Sequence, residues 1–253
     1  MVDEKSADLR KPLIEVKHVR KVYRMGEEKV VALDDVSLDI YKGEIVCFLG
    51  TSGSGKSTFL NMVAGLEKPT KGEIIVGGVK VHKLNEEMVT LFRQKNVGFI
   101  FQSYNLLPML TTLENISLPL VFRNVDKRKR DAMAKEAMRA VGLKGYERRR
   151  PSQMSGGQQQ RVGIARAIVG KPKIIFADEP TGNLDSHTTQ EVMEIIVNMV
   201  RENNQTLIIV THDRTISEYA DRVITIQDGN ILGIEVKGVA KNPLKESVGG
   251  SNG

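Results

Sequence analysis

Cysteine is nearly absent: Cys47 is the only one in 253 residues. A single thiol excludes an internal disulfide scaffold and suits a reducing compartment. Cys47 lies inside the apolar run Ile45–Leu49, where it reads as a small buried hydrophobe rather than a nucleophile. No apolar run approaches the ~20 residues that a membrane-spanning helix requires. The N-terminal stretch MVDEKSADLRKP is polar and has no signal-peptide-like apolar segment. The expectation is a chain kept in the cytoplasm, with any membrane span supplied by other subunits. Aromatic residues make up only 5% of the chain and do not interleave with the basic runs Lys127–Arg130 and Arg148–Arg150. Those runs read as a solvated helix face and a surface loop, so no nucleic-acid partner is expected. No internal repeat is visible.

What is present is ordinary for a globular protein: 27% charged and 40% hydrophobic residues. The length fits one large α/β domain, or a domain with a subdomain, and can bury a substantial core. The net charge of +6 suits phosphates or an anionic surface but discriminates weakly. Short strand-like runs at Ile14–Val19, Val30–Leu33 and Val36–Ile40, and a hairpin pattern over Glu73–Val81 with Gly77-Gly78 at its turn, suggest a small antiparallel sheet. Fully apolar runs at Ile45–Leu49, Val97–Phe101, Ile174–Ala177, Leu207–Val210 and Val223–Ile226 alternate with helical patterns. That alternation predicts a parallel sheet covered on both faces. Helices are expected over Ser57–Ala64, Lys127–Val141, Gln158–Val169, Thr188–Asn203 and Thr215–Ala220. Residues 1–12 read as a loosely tied arm, 13–240 as the folded domain, and 241–253 as a flexible Gly/Ser/Asn tail. Within the domain, residues from about 103 to 165 read as an inserted helical subdomain.

The strongest motif is Gly50–Ser57, GTSGSGKS, which fits G-x-x-x-x-G-K-S/T. An apolar strand precedes it and a helix pattern follows. The loop Gly50, Thr51, Ser52, Gly53, Ser54 and Gly55 can wrap a phosphate chain with backbone N–H groups. Lys56 would reach the β- and γ-phosphates, and the Ser57 hydroxyl would ligate Mg²⁺. Thr58 completes the expected nucleotide-binding set. The run Ile174–Glu179, IIFADE, is an apolar strand that ends in two carboxylates, where open α/β sheets bind ligands. Asp178 is placed to hold the Mg²⁺ directly or through water. Glu179 beside it is placed to deprotonate an attacking water.

A second anion-seeking helix start follows Met154: Ser155, Gly156, Gly157 and Gln158. A chain that already has a phosphate loop needs a second phosphate site, or a second subunit, to use it. In this combination and order the motifs resemble the nucleotide-binding subunits of ABC transporters, over roughly Leu13 to Ile234. The family signature LSGGQ reads MSGGQ here. The resemblance implies a P-loop NTPase core with a parallel sheet, an N-terminal antiparallel β subdomain and an inserted α-helical subdomain. It implies that Tyr23 stacks on adenine and that Gln102 meets Mg²⁺ and the water. It also implies that Asp185, in the GNLD segment Gly182–Asp185, lies at a dimer seam, and that His212 contacts the γ-phosphate. Catalysis would then rest on Lys56, Gln102, Glu179 and His212, and the metal on Ser57, Gln102 and Asp178. ATP and Mg²⁺ are the implied ligands. The implied partners are a second copy of the chain in a head-to-tail ATP sandwich, and transmembrane permease subunits, with a periplasmic or extracellular adaptor in some members.

The wording QSYNLLPMLTTLENISLPL, LEKPTKGEI and ADEPTGNLDS resembles the branch of macrolide-export and lipoprotein-release ATPases. Antimicrobial-peptide resistance ATPases and a cell-division regulator are near neighbours. The expectation is a free-standing subunit, peripheral on the cytoplasmic face of the membrane. Leu106, Leu107 and Leu110 either line a groove for a membrane subunit or pack the helical block. Soluble ABC ATPases of DNA repair or translation usually carry paired domains, coiled coils or zinc insertions, none of which is present here. A phosphotransferase would need an acceptor pocket in place of the SGGQ and GNLD segments.

Overall fold

The computed structural model describes residues 11–237. Most of the expected N-terminal arm and all of the expected tail lie outside them. The chain opens with two long antiparallel strands, β1 (Ile14–Met25) and β2 (Glu28–Ile40). The separate runs expected at Val30–Leu33 and Val36–Ile40 are one strand, with Asp35 at φ 58° between them. β4 (Lys71–Val76) and β5 (Val79–Lys80) complete a four-stranded antiparallel sheet ordered β2-β1-β4-β5.

The central sheet has six strands. β3 (Ile45–Leu49), β6 (Val97–Phe101), β7 (Ile174–Asp178), β8 (Thr206–Thr211) and β9 (Arg222–Gln227) are parallel, and β10 (Asn230–Val236) closes one edge antiparallel. The order is β10-β9-β3-β8-β7-β6. Alternate side chains of each parallel strand enter different cores, as the two-residue strand period requires. Ile45, Cys47, Ile175, Ala177, Leu207 and Ile209 face a helical core on one side. Val46, Phe48, Ile174, Phe176, Ile208 and Val210 face the antiparallel sheet and helix α1 (Lys56–Val63) on the other. Cys47 is buried as expected, and burial pushes its thiol up to about 12, so it stays protonated and inert.

Helix α2 (Glu86–Asn96), which the hydrophobic pattern does not announce, leads into β6. After β6 come α3 (Thr112–Phe122) and α4 (Lys127–Ala140), which pack on each other and on α5 (Gly156–Ile168). α5 lies against β6 as well, so it joins the helical block to the sheet. Met154 is packed just before α5, and its sulfur accepts from the Thr112 hydroxyl at 3.2 Å. α6 (Ser186–Glu202) and the short α7 (Arg214–Ser217) follow β7 and β8. No described helix is long and apolar enough to cross a membrane.

Candidate active site

The C-terminal ends of β3, β6, β7 and β8 converge on a cleft of about 430 Å³. Ser52, Gly53, Gly55, Lys56, Ser57, Thr58, Gln102, Asp178, Glu179 and His212 line it, with Ala32 and Val210. Residues from five separate segments of sequence thus meet in one place.

β3 delivers the loop and α1 ends it. Gly55 caps α1 at φ 102°, and a Cβ there would stand 2.4 Å from the Ala32 carbonyl oxygen. Glycine is required by both the backbone and the space. A Cβ on Gly50 would lie 2.2 Å from the Ile226 carbonyl oxygen, so the loop is pressed against the end of β9. The Lys56 ammonium, buried under the loop, donates to the Gly50 and Thr51 carbonyl oxygens at 2.9 and 2.7 Å. Burial lowers its pKa, and Glu179 and Asp178 oppose that shift.

The two acids behave differently although they are adjacent. Burial raises the pKa of Asp178; the Ser57 hydroxyl, donating at 3.3 Å, and Lys56 act against that, while Glu179 adds to it. Glu179 is held by three donors. The Thr211 hydroxyl reaches Oε2 at 2.9 Å, and the His212 backbone N–H and ring Nδ1 lie 3.1 and 2.7 Å from Oε1. Gln102, the first residue after β6, is tied to Asn183: Nε2 donates to Asn183 Oδ1 at 3.3 Å, and Asn183 Nδ2 donates back to the Gln102 carbonyl at 3.0 Å.

Hydroxyl, carboxylate and amide oxygens from Ser57, Asp178 and Gln102 make a hard-oxygen donor set that suits Mg²⁺ better than a softer ion. Among the described residues no cluster of three or more His, Cys, Asp or Glu forms a metal cage.

Tyr23 sits on β1 beside this cleft. Its hydroxyl donates to Glu67 at 2.6 Å and the Lys21 ammonium stands 4.9 Å from its ring centre. Burial raises its pKa, Glu67 adds to that, and Thr58 of α1 lowers it. The remaining predicted residues do not line the cleft. Ser155 caps α5, its Oγ accepting from Gln158 N–H at 3.3 Å while Gln158 Oε1 accepts from Ser155 N–H at 3.1 Å. Gly157 packs against Thr188, where a Cβ would stand 2.7 Å from the methyl. Asp185 caps α6 through Thr188 N–H and hydroxyl at 3.0 and 2.7 Å, which hold its carboxyl below the usual range.

Sequence reasoning missed several supports. Thr211 was readable in principle, as the last residue of the strand that delivers His212. Asn183 sits inside the GNLD segment. Gln160 and Arg166 of α5 reach across the fold, to Pro180 and to Tyr104–Asn105 respectively, and no sequence spacing marks them. Of the three leucines, Leu106 packs on the helical core, Leu107 is exposed, and Leu110 lines a separate cleft of about 750 Å³ beside α3 and α4.

A strand–loop–helix phosphate cradle at the C-terminal edge of a parallel sheet defines a P-loop nucleoside triphosphatase. Comparison with known proteins narrows the class. The ABC transporter family profile matches residues 33–182. An ABC transporter ATP-binding protein of Thermotoga maritima is 44% identical over 229 residues, covering 90% of this chain and 97% of that one. The macrolide export ATP-binding/permease protein MacB of Salmonella typhimurium is 46% identical over 220 residues, 87% of this chain but 34% of that one. Among solved structures, the ATP-binding cassette MJ0796 of Methanocaldococcus jannaschii, a dimer in a post-hydrolysis state bound to ADP and phosphate, superposes with a TM-score of 0.82. That cassette is 41% identical, over 88% of this chain and 98% of its own. The chain belongs to the ABC transporter family and is an ABC ATPase domain.

Proposed function

We propose that this chain hydrolyses Mg-ATP as a head-to-tail dimer of itself and passes the resulting movement to separate membrane subunits of an export or force-transmitting machine of the macrolide-export and lipoprotein-release kind. One observation carries the hydrolytic reading: Lys56, Ser57, Gln102, Asp178, Glu179 and His212 all line one cleft. The dimeric, product-bound state of the similar cassette supports the paired form.

In this reading the Gly50–Gly55 backbone and Lys56 bind the phosphates, and Tyr23 stacks on the adenine. Ser57, Asp178 and Gln102 would hold Mg²⁺, which when bound supplies charge neutralisation for the leaving phosphate. Glu179 takes the proton of the attacking water. Its carboxylate is already aimed by Thr211 and His212, so little reorganisation is needed at the moment of reaction. His212 is shared between Glu179 and the γ-phosphate. The Ser155–Gln158 helix start, preorganised by its own capping box, closes on the phosphate held by the partner copy, and Asp185 lies at the same seam. ATP favours the closed pair because only that state makes both sets of contacts. The cleft at Leu110, Leu113, Leu118 and Val121 receives the membrane subunit.

Glu179→Gln tests this. The variant keeps an oxygen for His212 and keeps the fold, so it should bind ATP as the parent does, accumulate as a dimer in Mg-ATP, and lose about 10²- to 10⁴-fold in kcat. Sizing that shows only monomer, or hydrolysis at the parent rate, refutes the assignment.

A further inference from the structure

We infer that Gln160 is a positioning residue for Glu179, and that it links the base of one nucleotide site to the helix start that serves the other. The inference rests on the hydrolytic reading above. Glu179 stands at φ 45°, in the left-handed region, immediately before Pro180. Helical backbone is disfavoured for a residue that precedes proline. A non-glycine residue persists there only where its surroundings fix it.

On the upstream side the sheet does so. Glu179 N–H donates to the Val210 carbonyl at 2.9 Å, and Thr211 and His212 grip the carboxylate. On the downstream side Gly182 N–H donates to the Glu179 carbonyl at 3.1 Å, and the Gln160 side-chain amide donates to the Pro180 carbonyl. Gln160 is fully buried, at 0% exposure. Among the described residues its Oε1 has no hydrogen-bond partner. The amide therefore serves this place only as a donor. A methionine would fill a similar volume without an unpaired oxygen; what glutamine adds is the N–H that reaches Pro180.

Gln160 also lies one turn into α5, two residues after the Ser155–Gln158 capping box. A movement of that helix start is passed through one buried amide to the peptide that follows Glu179. The geometry thus connects what the helix start meets on the partner to the aim of the base in this chain's own cleft.

The test uses the full chain in Mg-ATP. Gln160→Met should lower kcat about ten- to a hundredfold with KM for ATP near the parent value, because the phosphate loop is untouched. Gln160→Glu separates positioning from packing. Only its protonated carboxyl donates to the Pro180 carbonyl, so its kcat relative to the parent should rise as pH falls from about 9 to about 6, the range of buried glutamates. That readout stands even where Gln160→Met does not fold. In the double variant with Ser155→Ala the two losses should be less than multiplicative. An unchanged kcat in folded Gln160→Met, or a flat pH ratio for Gln160→Glu, overturns the positioning role; strictly multiplicative losses overturn the link to the helix start. If Gln160→Met is silent while Glu179→Gln is inactive, the inference fails and the hydrolytic reading stands. Hydrolysis that survives Glu179→Gln removes the reading itself.

Discussion

Replacing Arg166 by methionine should cost about 2 kcal/mol of stability, because it releases two residues with unusual backbone. Tyr104 and Asn105 both have left-handed backbone, at φ 60° and 48°. They lie just after Gln102, between β6 and α3. The Arg166 guanidinium donates to both of their carbonyl oxygens, Nη2 to Tyr104 at 2.7 Å and Nη1 to Asn105 at 2.6 Å. Burial lowers its pKa, yet an arginine still stays charged. Two bonds from a charged donor are worth about 1.5–3 kcal/mol each when fully enclosed. The site is partly open, so about 1 kcal/mol each is the better figure. Methionine keeps the aliphatic packing of the arginine stem, so the loss isolates the two bonds. For a chain of this size the melting temperature should fall by roughly 4–8 °C. Arg166→Lys, whose compact ammonium lacks the planar fork, should fall about half as far. The assay is scanning calorimetry of the full chain without nucleotide. A methionine variant that melts within about 1 °C of the parent refutes the clamp, since that corresponds to well under 1 kcal/mol.

Asp178→Asn should separate stability from function. Burial raises the Asp178 pKa in the folded chain, so the native state binds more protons than the unfolded one and stability declines as pH rises through the folded pKa. The asparagine variant should melt at or above the parent at neutral pH, with the difference shrinking on acidification and hydrolysis lost at every pH; a lower melting point at pH ~7 contradicts the burial argument. Gly50→Ala places a methyl 2.2 Å from the Ile226 carbonyl oxygen, and backbone cannot yield as a side chain does. Denaturant titration should show a loss of about 1–3 kcal/mol or more, and an unchanged midpoint means the loop is not pressed on β9 as described.

The parts of the fold that were readable from sequence are those whose signal is burial. The five parallel strands are apolar on both faces because both faces are covered, and each was placed within about two residues. β10 escaped because its residues are mostly exposed. An exposed edge strand has no buried face to impose alternation, and only the Asp228–Gly229 turn, at φ 47° and 77°, marks it. Helix α2 escaped for the same reason. It buries only Val89 and Phe92 and is defined by its ends, where Asn85 accepts from Met88 N–H and Glu86 and Glu87 occupy the first turn.

The site divides along the same line. Lys56 with Ser57, and Asp178 with Glu179, are neighbours in sequence on strand ends, so local chemistry names them. The groups that hold the surrounding chain are not local. Thr211 is 32 residues from Glu179, Gln160 is 20 residues from Pro180, and Arg166 is 62 from Tyr104. Each is a polar side chain on an element whose neighbours are chosen by packing, so nothing in its own spacing records its partner. Two of the three sit on α5, whose first residues form the second anion-seeking helix start. That start spends its side chains on its own capping box, while the N–H groups of Gly156 and Gly157, between the two residues of the box, have no partner within the helix. A helix built to hold both the turn after Glu179 and the loop after Gln102 therefore presents open donors away from its own cleft. In the proposed pairing of two chains those donors would meet the partner's phosphate, so the pairing would act on the aim of the base as well as on the binding of the nucleotide.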